Sequence, residues 1–385
     1  EQLVVRGGDG GETIDLVALD SSTAVNMIQL TGDNVSGTDA GDDTLRVRST
    51  PAGSTIELLG GAGDDTFQLY DAAPTVDNIL GPVTIDGQAG DNTLIVDDSG
   101  DAGPDTVLVT ETTIEGLTGD PAAPDVSYSN IDQLDVTATG GADDVTIDMT
   151  TGGSDLDNAV ISGAGGDDML RLESFIVDLA TITINGNAGS DVFNEPTGPA
   201  NMEPNTDPRG KLEPSLDTEI FVNGEAGPTG TGNPTTPPNG DTDVFNLDTT
   251  ILTAPVIVDA LAGIATSAGP HQRVNFSGME DICLDDVSGD DLNVNIGELY
   301  VRSTNDRERI VFTSWNSLGV KVRIDNLDAG TSLTFPDMFG LVSGMQMLQR
   351  IVTFAQDGDD LVSIAGHVRD SNEMPIPVEF HGELG

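Results

Sequence analysis

The residues most able to do chemistry in this chain are aspartates, and they come in a repeated setting. Thr55-Ile-Glu-Leu-Leu-Gly60-Gly-Ala-Gly63-Asp-Asp65-Thr-Phe67-Gln-Leu69 is the fullest copy, and its frame returns at 83–94, 161–170 and 182–193. A carboxylate beside a run of glycines sets two kinds of oxygen together, because a glycine-rich turn exposes backbone carbonyls next to the side chain. Calcium takes six to eight such oxygens at about 2.3–2.6 Å. If the turns stack at the ~4.8 Å spacing of neighbouring strands, equivalent carboxylates form a column, and like charges so placed repel by about 1 kcal/mol per pair even in water. A cation between successive members removes that repulsion. Plain turn formation explains the same residues without a metal, since Gly accepts left-handed φ and Asp tolerates it.

The elements that must position these turns are strands. Ile56 and Leu58 before the turn, and Phe67 and Leu69 after it, alternate with polar residues, the two-residue period of a half-buried strand. Taking the acidic or Asn residue of each copy as a marker gives Glu12, Asp43, Asp65, Asn92, Asp143, Asp168, Asp191, Asp243, Asp291 and Asp360. Their gaps are 31, 22, 27, 51, 25, 23, 52, 48 and 69 residues, most of them near one, two or three times about 24. That period lies in the range of stacked-repeat architectures.

The fold expected is therefore all-β: a right-handed parallel β-helix, a β-solenoid of three strands per coil, with about 24 residues per coil and roughly 14–16 coils. It would run as one continuous segment over 1–385, apparently uncapped at both ends, the long gaps being coils whose turn has lost the motif. The 52-residue gap is better read as one coil with two excursions, the proline-bearing loops at about 196–215 and 228–241. One copy, Gly100-Asp-Ala-Gly103-Pro-Asp105-Thr-Val107, falls out of phase with the rest.

Composition narrows the function. Asp and Glu number 66 against 14 Lys and Arg, a net charge of −52. Phosphate binding needs basic stripes, so nucleic acid is excluded as a partner. Self-repulsion on this scale calls for a cation-rich or salty medium. The single cysteine, Cys283, gives no internal disulfide framework and no zinc spacing. No apolar run reaches the 18 residues of a membrane-spanning helix.

The motif Gly60-Gly-Ala-Gly63-Asp-Asp65-Thr-Phe67-Gln resembles the haemolysin-type RTX calcium repeat, GGxGxDxUx, and the overall plan is similar to large bacterial surface proteins carrying such repeats. The resemblance implies Ca2+ as the cofactor, with Asp43, Asp65, Asp105, Asp143, Asp168, Asp191, Asp243, Asp291 and Asp360 at the liganding position. It covers the turns only. RTX repeats follow one another every nine residues, whereas these are about 24 apart, which favours a wider coil over the RTX β-roll.

The function expected is a structural or adhesive extracellular module, part of a surface layer, adhesin stalk or filament. Its partners would be neighbouring repeats or copies of itself end to end, with cell-surface glycans as a further possibility through the inserted loops. One alternative is a module that binds a glycan or partner through the inserted loops; the other is a β-helix polysaccharide lyase or hydrolase. Its candidate cations are few, Arg46 and Arg48 on one strand face and Arg302, Arg307 and Arg309, and these are expected to pair with carboxylates. His271, His367 and His381 stand apart and form no catalytic set, so no catalytic residue is assigned.

Overall fold

The computed structural model describes residues 1–19, 25–33, 41–117, 125–149, 155–172 and 179–193, and beyond these the strands between 219 and 382. No helix occurs among them; every regular element is a strand. The chain forms two compact units, residues 1–168 with 176–183, and residues 169–175 with 184–385.

In the first unit the strands are β1 (Gln2–Arg6), β2 (Thr13–Leu16), β3 (Met27–Thr31), β4 (Thr44–Val47), β5 (Thr55–Ala62), β6 (Thr66–Leu69), β7 (Val83–Ala89), β8 (Thr93–Asp97), β9 (Thr106–Thr110), β10 (Thr113–Glu115), β11 (Val126–Ser129), β12 (Gln133–Thr137), β13 (Asp144–Asp148) and β14 (Asn158–Ser162). They divide between two sheets. The first has the order β1-β3-β5-β7-β11-β10-β9-β13 and the second β2-β4-β6-β8-β12-β14. The chain thus passes from one sheet to the other and back, adding a parallel strand at each visit. Spacing alone suggested three strands per repeat; among the described residues the strands of this unit lie in two sheets, with one further parallel bridge between Thr50 and Ile79 in the connections.

Alternation fixes which face of each strand is buried. β4 and β6 alternate half-buried with buried residues, and β8 continues the pattern. Parallel, in-register pairing then lines the buried residues up in columns. In the second sheet Ile14, Leu45, Phe67, Leu94, Leu134 and Ala159 are successive partners, and Leu16, Val47, Leu69, Val96, Val136 and Ile161 form the next column. In the first sheet Ile28, Ile56, Val83 and Val126 align, beside Leu30, Leu58, Ile85 and Tyr128. The two inner faces meet, since Leu69 and Val96 from one sheet and Val83 and Val126 from the other line the same small apolar gap.

One insertion breaks the regular alternation. β9, β10 and β11 form an antiparallel meander inside the first sheet, with β9 parallel to β13 and β11 parallel to β7. The Asp125 carboxylate holds it, accepting the N–H groups of Gly116 at 2.8 Å and Leu117 at 2.9 Å. The Tyr128 hydroxyl donates to the carbonyl of Thr110.

The second unit repeats the plan with its own strands. One sheet runs through 169–172, 192–193, 244–248 and 281–285, then through an antiparallel meander of 331–338, 319–326 and 308–315, to 361–365. The other contains 219–225, a meander of 273–277, 264–267 and 256–259, and then 298–302, 350–355 and 378–382. Val192 pairs with Val244 and Phe193 with Phe245 in parallel, so the strands that follow Asp191 and Asp243 are neighbours. The inserted loops expected at 196–215 and 228–241 lie outside the described residues.

Phe67 is fully buried between Leu45 and Leu94 in its column. Phe67→Ala should lower unfolding stability by about 3–5 kcal/mol, read from chemical denaturation. A loss below about 1 kcal/mol would mean that the column is not the core.

Candidate functional site: aspartate clasps at the turns

The marker residues sit where the chain leaves one sheet for the other, so their backbone N–H groups lie at the start of a strand. Each such N–H is taken by the side chain of the equivalent residue in the next turn. Glu12 N–H donates to Asp43 Oδ1 at 2.6 Å, across 31 residues. Asp43 N–H donates to Asp65 Oδ1 at 2.8 Å, across 22. Asp65 N–H donates to Asn92 Oδ1 at 3.0 Å, across 27, and Asn92 N–H to Asp132 Oδ2 at 2.6 Å, across 40. The column is buried: Asp43, Asp65 and Asn92 are no more than 2% exposed. Each such hydrogen bond contributes about 0.5–1.5 kcal/mol and satisfies an N–H that would otherwise be buried without a partner.

The aspartate just before the marker forms a second, exposed row of opposite sense. Asp64 N–H donates to Asp42 Oδ1 and Asp91 N–H to Asp64 Oδ1, both at 2.9 Å. In the pair Asp64-Asp65 the first carboxylate therefore holds the turn that follows, and the second holds the turn before it. The pairs Asp42-Asp43 and Asp64-Asp65 each clasp both neighbouring turns.

Glycine is required where this clasp leaves no room. A Cβ on Gly60 would lie 2.3 Å from Asp65 Oδ2 and 2.6 Å from the carbonyl oxygen of Gly87. Gly63 has φ 138° and its Cβ would meet the carbonyl oxygen of Gly41 at 2.4 Å. The same packing recurs at Gly32, whose Cβ would meet Asp43 Oδ2 at 2.1 Å, and at Gly186, with Asp191 Oδ2 at 2.1 Å.

The sequence-derived residues do not form one row. Asp43 and Asp65 stand where a first-sheet strand passes to a second-sheet strand. Asp105, Asp143 and Asp168 stand at the opposite edge, after second-sheet strands, where Asp105 N–H donates to Asp143 Oδ1 at 2.7 Å and Asp143 N–H to Asp168 Oδ1 at 2.9 Å. Thr139 Oγ1 adds a bond to Asp143 Oδ1 at 2.7 Å. The out-of-phase copy at Asp105 is thus in phase with this second edge. The 51 residues from Asn92 to Asp143 span a change of edge and a meander, not a coil that lost its motif. Asp191 is buried beside Gly186. Asp243, Asp291 and Asp360 lie outside the described residues.

Two members lack the motif. Asp132 continues the first column with no glycine ahead of it; Asn130, with φ 54°, fills that place. Asp98 is fully buried at the second edge and accepts the Val76 N–H at 3.0 Å. The signal for both was an Asp just before or after an alternating strand with no glycine run ahead of it, which is too common to select.

Elsewhere, Arg46 and Arg48 are tied to surface partners. Arg48 makes a two-pronged ion pair with Asp15, at 2.6 and 2.9 Å, and this bond holds the Asp15 carboxyl below its ordinary range. Arg46 donates to Gln68 Oε1 and lies 5.5 Å from the centre of the Tyr70 ring. Among the described residues no three or more His, Cys, Asp or Glu side chains are grouped as a metal site. No family model matches the chain, and no curated protein is detectably similar to it in sequence.

Burial raises the clasp carboxyls. Asp65 is pushed up to about 7, by desolvation first and then by the carboxyls of Asp43, Asp33 and Asp42, against the opposing bond from Asp43 N–H. Asp105 reaches about 7 and Asp98 about 6, both chiefly through desolvation. Desolvation also moves Asp143 and Asp132 upward. Carboxyls ordinarily titrate near pH 4, so between there and about pH 7 the folded chain binds more protons than the unfolded one. Stability from these groups is complete at acid pH and lost as pH rises through about 6–7. Melting followed by circular dichroism at low salt should give a higher Tm at pH 5 than at pH 8, and a Tm that climbs with pH would overturn this account. Gly60→Ala should lower Tm by several degrees, because the added methyl must displace a carboxylate or a backbone carbonyl.

Proposed function

We propose that this chain is a structural or adhesive extracellular module, a right-handed β-solenoid segment of the kind that builds surface layers, stalks or filaments. The observation that carries this reading is the use of the repeated Gly/Asp motif. Its carboxylates point along the stack and fasten one turn to the next, so the chemistry that stood out in the sequence is consumed by the architecture. Parallel crossovers of this type are right-handed in almost every known case. Columns of identical contacts also make stability a sum over neighbouring repeats, which suits an extended, load-bearing element.

Charge supports the same role. An excess of 52 negative charges keeps such an element soluble and repels other acidic surfaces, and the surrounding ions screen its self-repulsion over about 8 Å at physiological salt. A lyase would present unpaired cations to a uronate; here Arg48 is engaged by Asp15, and Arg46 by Gln68 and Tyr70.

Small-angle scattering of the purified full chain should give the distance distribution of an elongated particle, several times longer than wide. A compact, symmetric distribution would sink the solenoid reading. Incubation with acidic polysaccharides should release no unsaturated or reducing ends; turnover would instead make the chain an enzyme. Adding sodium chloride at pH 8 should raise Tm, since screening removes repulsion that folding concentrates.

A further inference from the structure

The clasp column contains its own internal comparison. Asn92 occupies the same rung position as Asp43 and Asp65, and its amide shows both halves of the site in use. Its Oδ1 accepts the Asp65 N–H at 3.0 Å, while its Nδ2 donates to the carbonyl of Asn130 at 3.1 Å and to that of Gly90 at 3.2 Å. The site therefore offers one N–H donor to the first atom of the side chain, and carbonyl acceptors to the second.

Asp65 meets the same surroundings. Its Oδ1 accepts the Asp43 N–H, and its Oδ2 is buried without a hydrogen-bond donor. That Oδ2 and the Gly87 carbonyl oxygen crowd one point, lying 2.3 and 2.6 Å from where a Gly60 Cβ would stand. At the Asn92 rung the corresponding point above Gly87 is crowded by Asn92 Nδ2 at 2.6 Å and the Asn130 carbonyl oxygen at 2.0 Å. The two rungs differ only in the second side-chain atom. Asparagine brings a hydrogen to the carbonyl there; an ionised aspartate brings a second negative oxygen.

We infer that Asp65 is not a calcium ligand but an asparagine mimic, held as the neutral acid with its Oδ2–H donated to the Gly87 carbonyl. A cation between the two oxygens is the competing occupant that the RTX resemblance implies. The column argues against it, because at the equivalent point of the next rung an N–H donor meets the carbonyl, and no cation is needed there. At 1% exposure, a cation beside Asp65 would draw its remaining ligands largely from backbone carbonyls. The charged groups acting on Asp65 are all carboxyls, Asp43, Asp33 and Asp42, and each favours the neutral form. The proton exchanges with solvent as the turn opens, so the clasp tightens in acid and loosens in base.

Two substitutions test this on the full chain, each melted at pH 5 and pH 8, with calcium and with chelator. Asp65→Asn should melt higher than wild type at pH 8, by roughly 2–4 °C, and equal to it at pH 5, with the same gap in calcium and in chelator. Asn92→Asp should do the reverse, melting lower at pH 8 and recovering at pH 5. If Asp65→Asn melts below wild type in calcium and matches it in chelator, the aspartate is a cation ligand and the inference falls. It falls equally if neither variant changes the pH dependence. These outcomes bear on the protonation of the clasp and leave the scattering test of an elongated module independent.

Discussion

Everything in this fold depends on satisfying the backbone at the points where the chain leaves one sheet for the other. Within a sheet, parallel neighbours exchange N–H and C=O bonds and nothing is left over. At the turn the strand ladder ends, yet the turn is packed under its neighbours and cannot turn to water. A buried N–H without a partner costs about as much as a lost hydrogen bond. The solution is a side chain short enough to reach only the adjacent rung, and Asp or Asn meets that requirement. Gly32, Gly60 and Gly186 follow from it, because the carboxylate lies against their Cα atoms.

Much of this was legible in the sequence. Alternation at Ile56-Glu-Leu58 and Phe67-Gln-Leu69 identified strands that are in fact β5 and β6, and the markers Asp43, Asp65 and Asn92 fall on consecutive members of one column. The edge of the fold on which a marker sits was not legible. A strand-turn-strand copy reads the same in either direction between the sheets, so Asp105 looked misplaced and the gap to Asp143 looked like missing motifs. The meander over 106–129 was hidden for a related reason: its strands carry the same alternation as the parallel ones, and only the pairing distinguishes them. Coil length misled as well. Steps of 22, 25 and 27 residues sit beside one of 40, so a mean period could not tell two strands with long connections from three with short ones.

The carboxylates were legible as a group and not as individuals. An Asp-Asp pair reads as two equivalent acids, but the fold gives them opposite tasks. Asp64 is exposed and reaches toward the following turn; Asp65 is buried and reaches toward the preceding one. That difference arises from the pleat, which sends adjacent side chains to opposite faces. Burial then raises the Asp65 carboxyl, chiefly by stripping its hydration.

Clasps at both edges also constrain how such a gene can lengthen. One series, from Glu12 to Asp132, stands where the chain passes from the first sheet to the second; the other, from Asp105 to Asp168, stands where it passes back. Unequal recombination between two members of one series adds a whole repeat with the clasp in place. Recombination between members of different series joins a strand to another bound for the same sheet, and the aspartate arrives at the wrong edge. The two series are thus separate registers of inheritance, each free to expand only by copying itself.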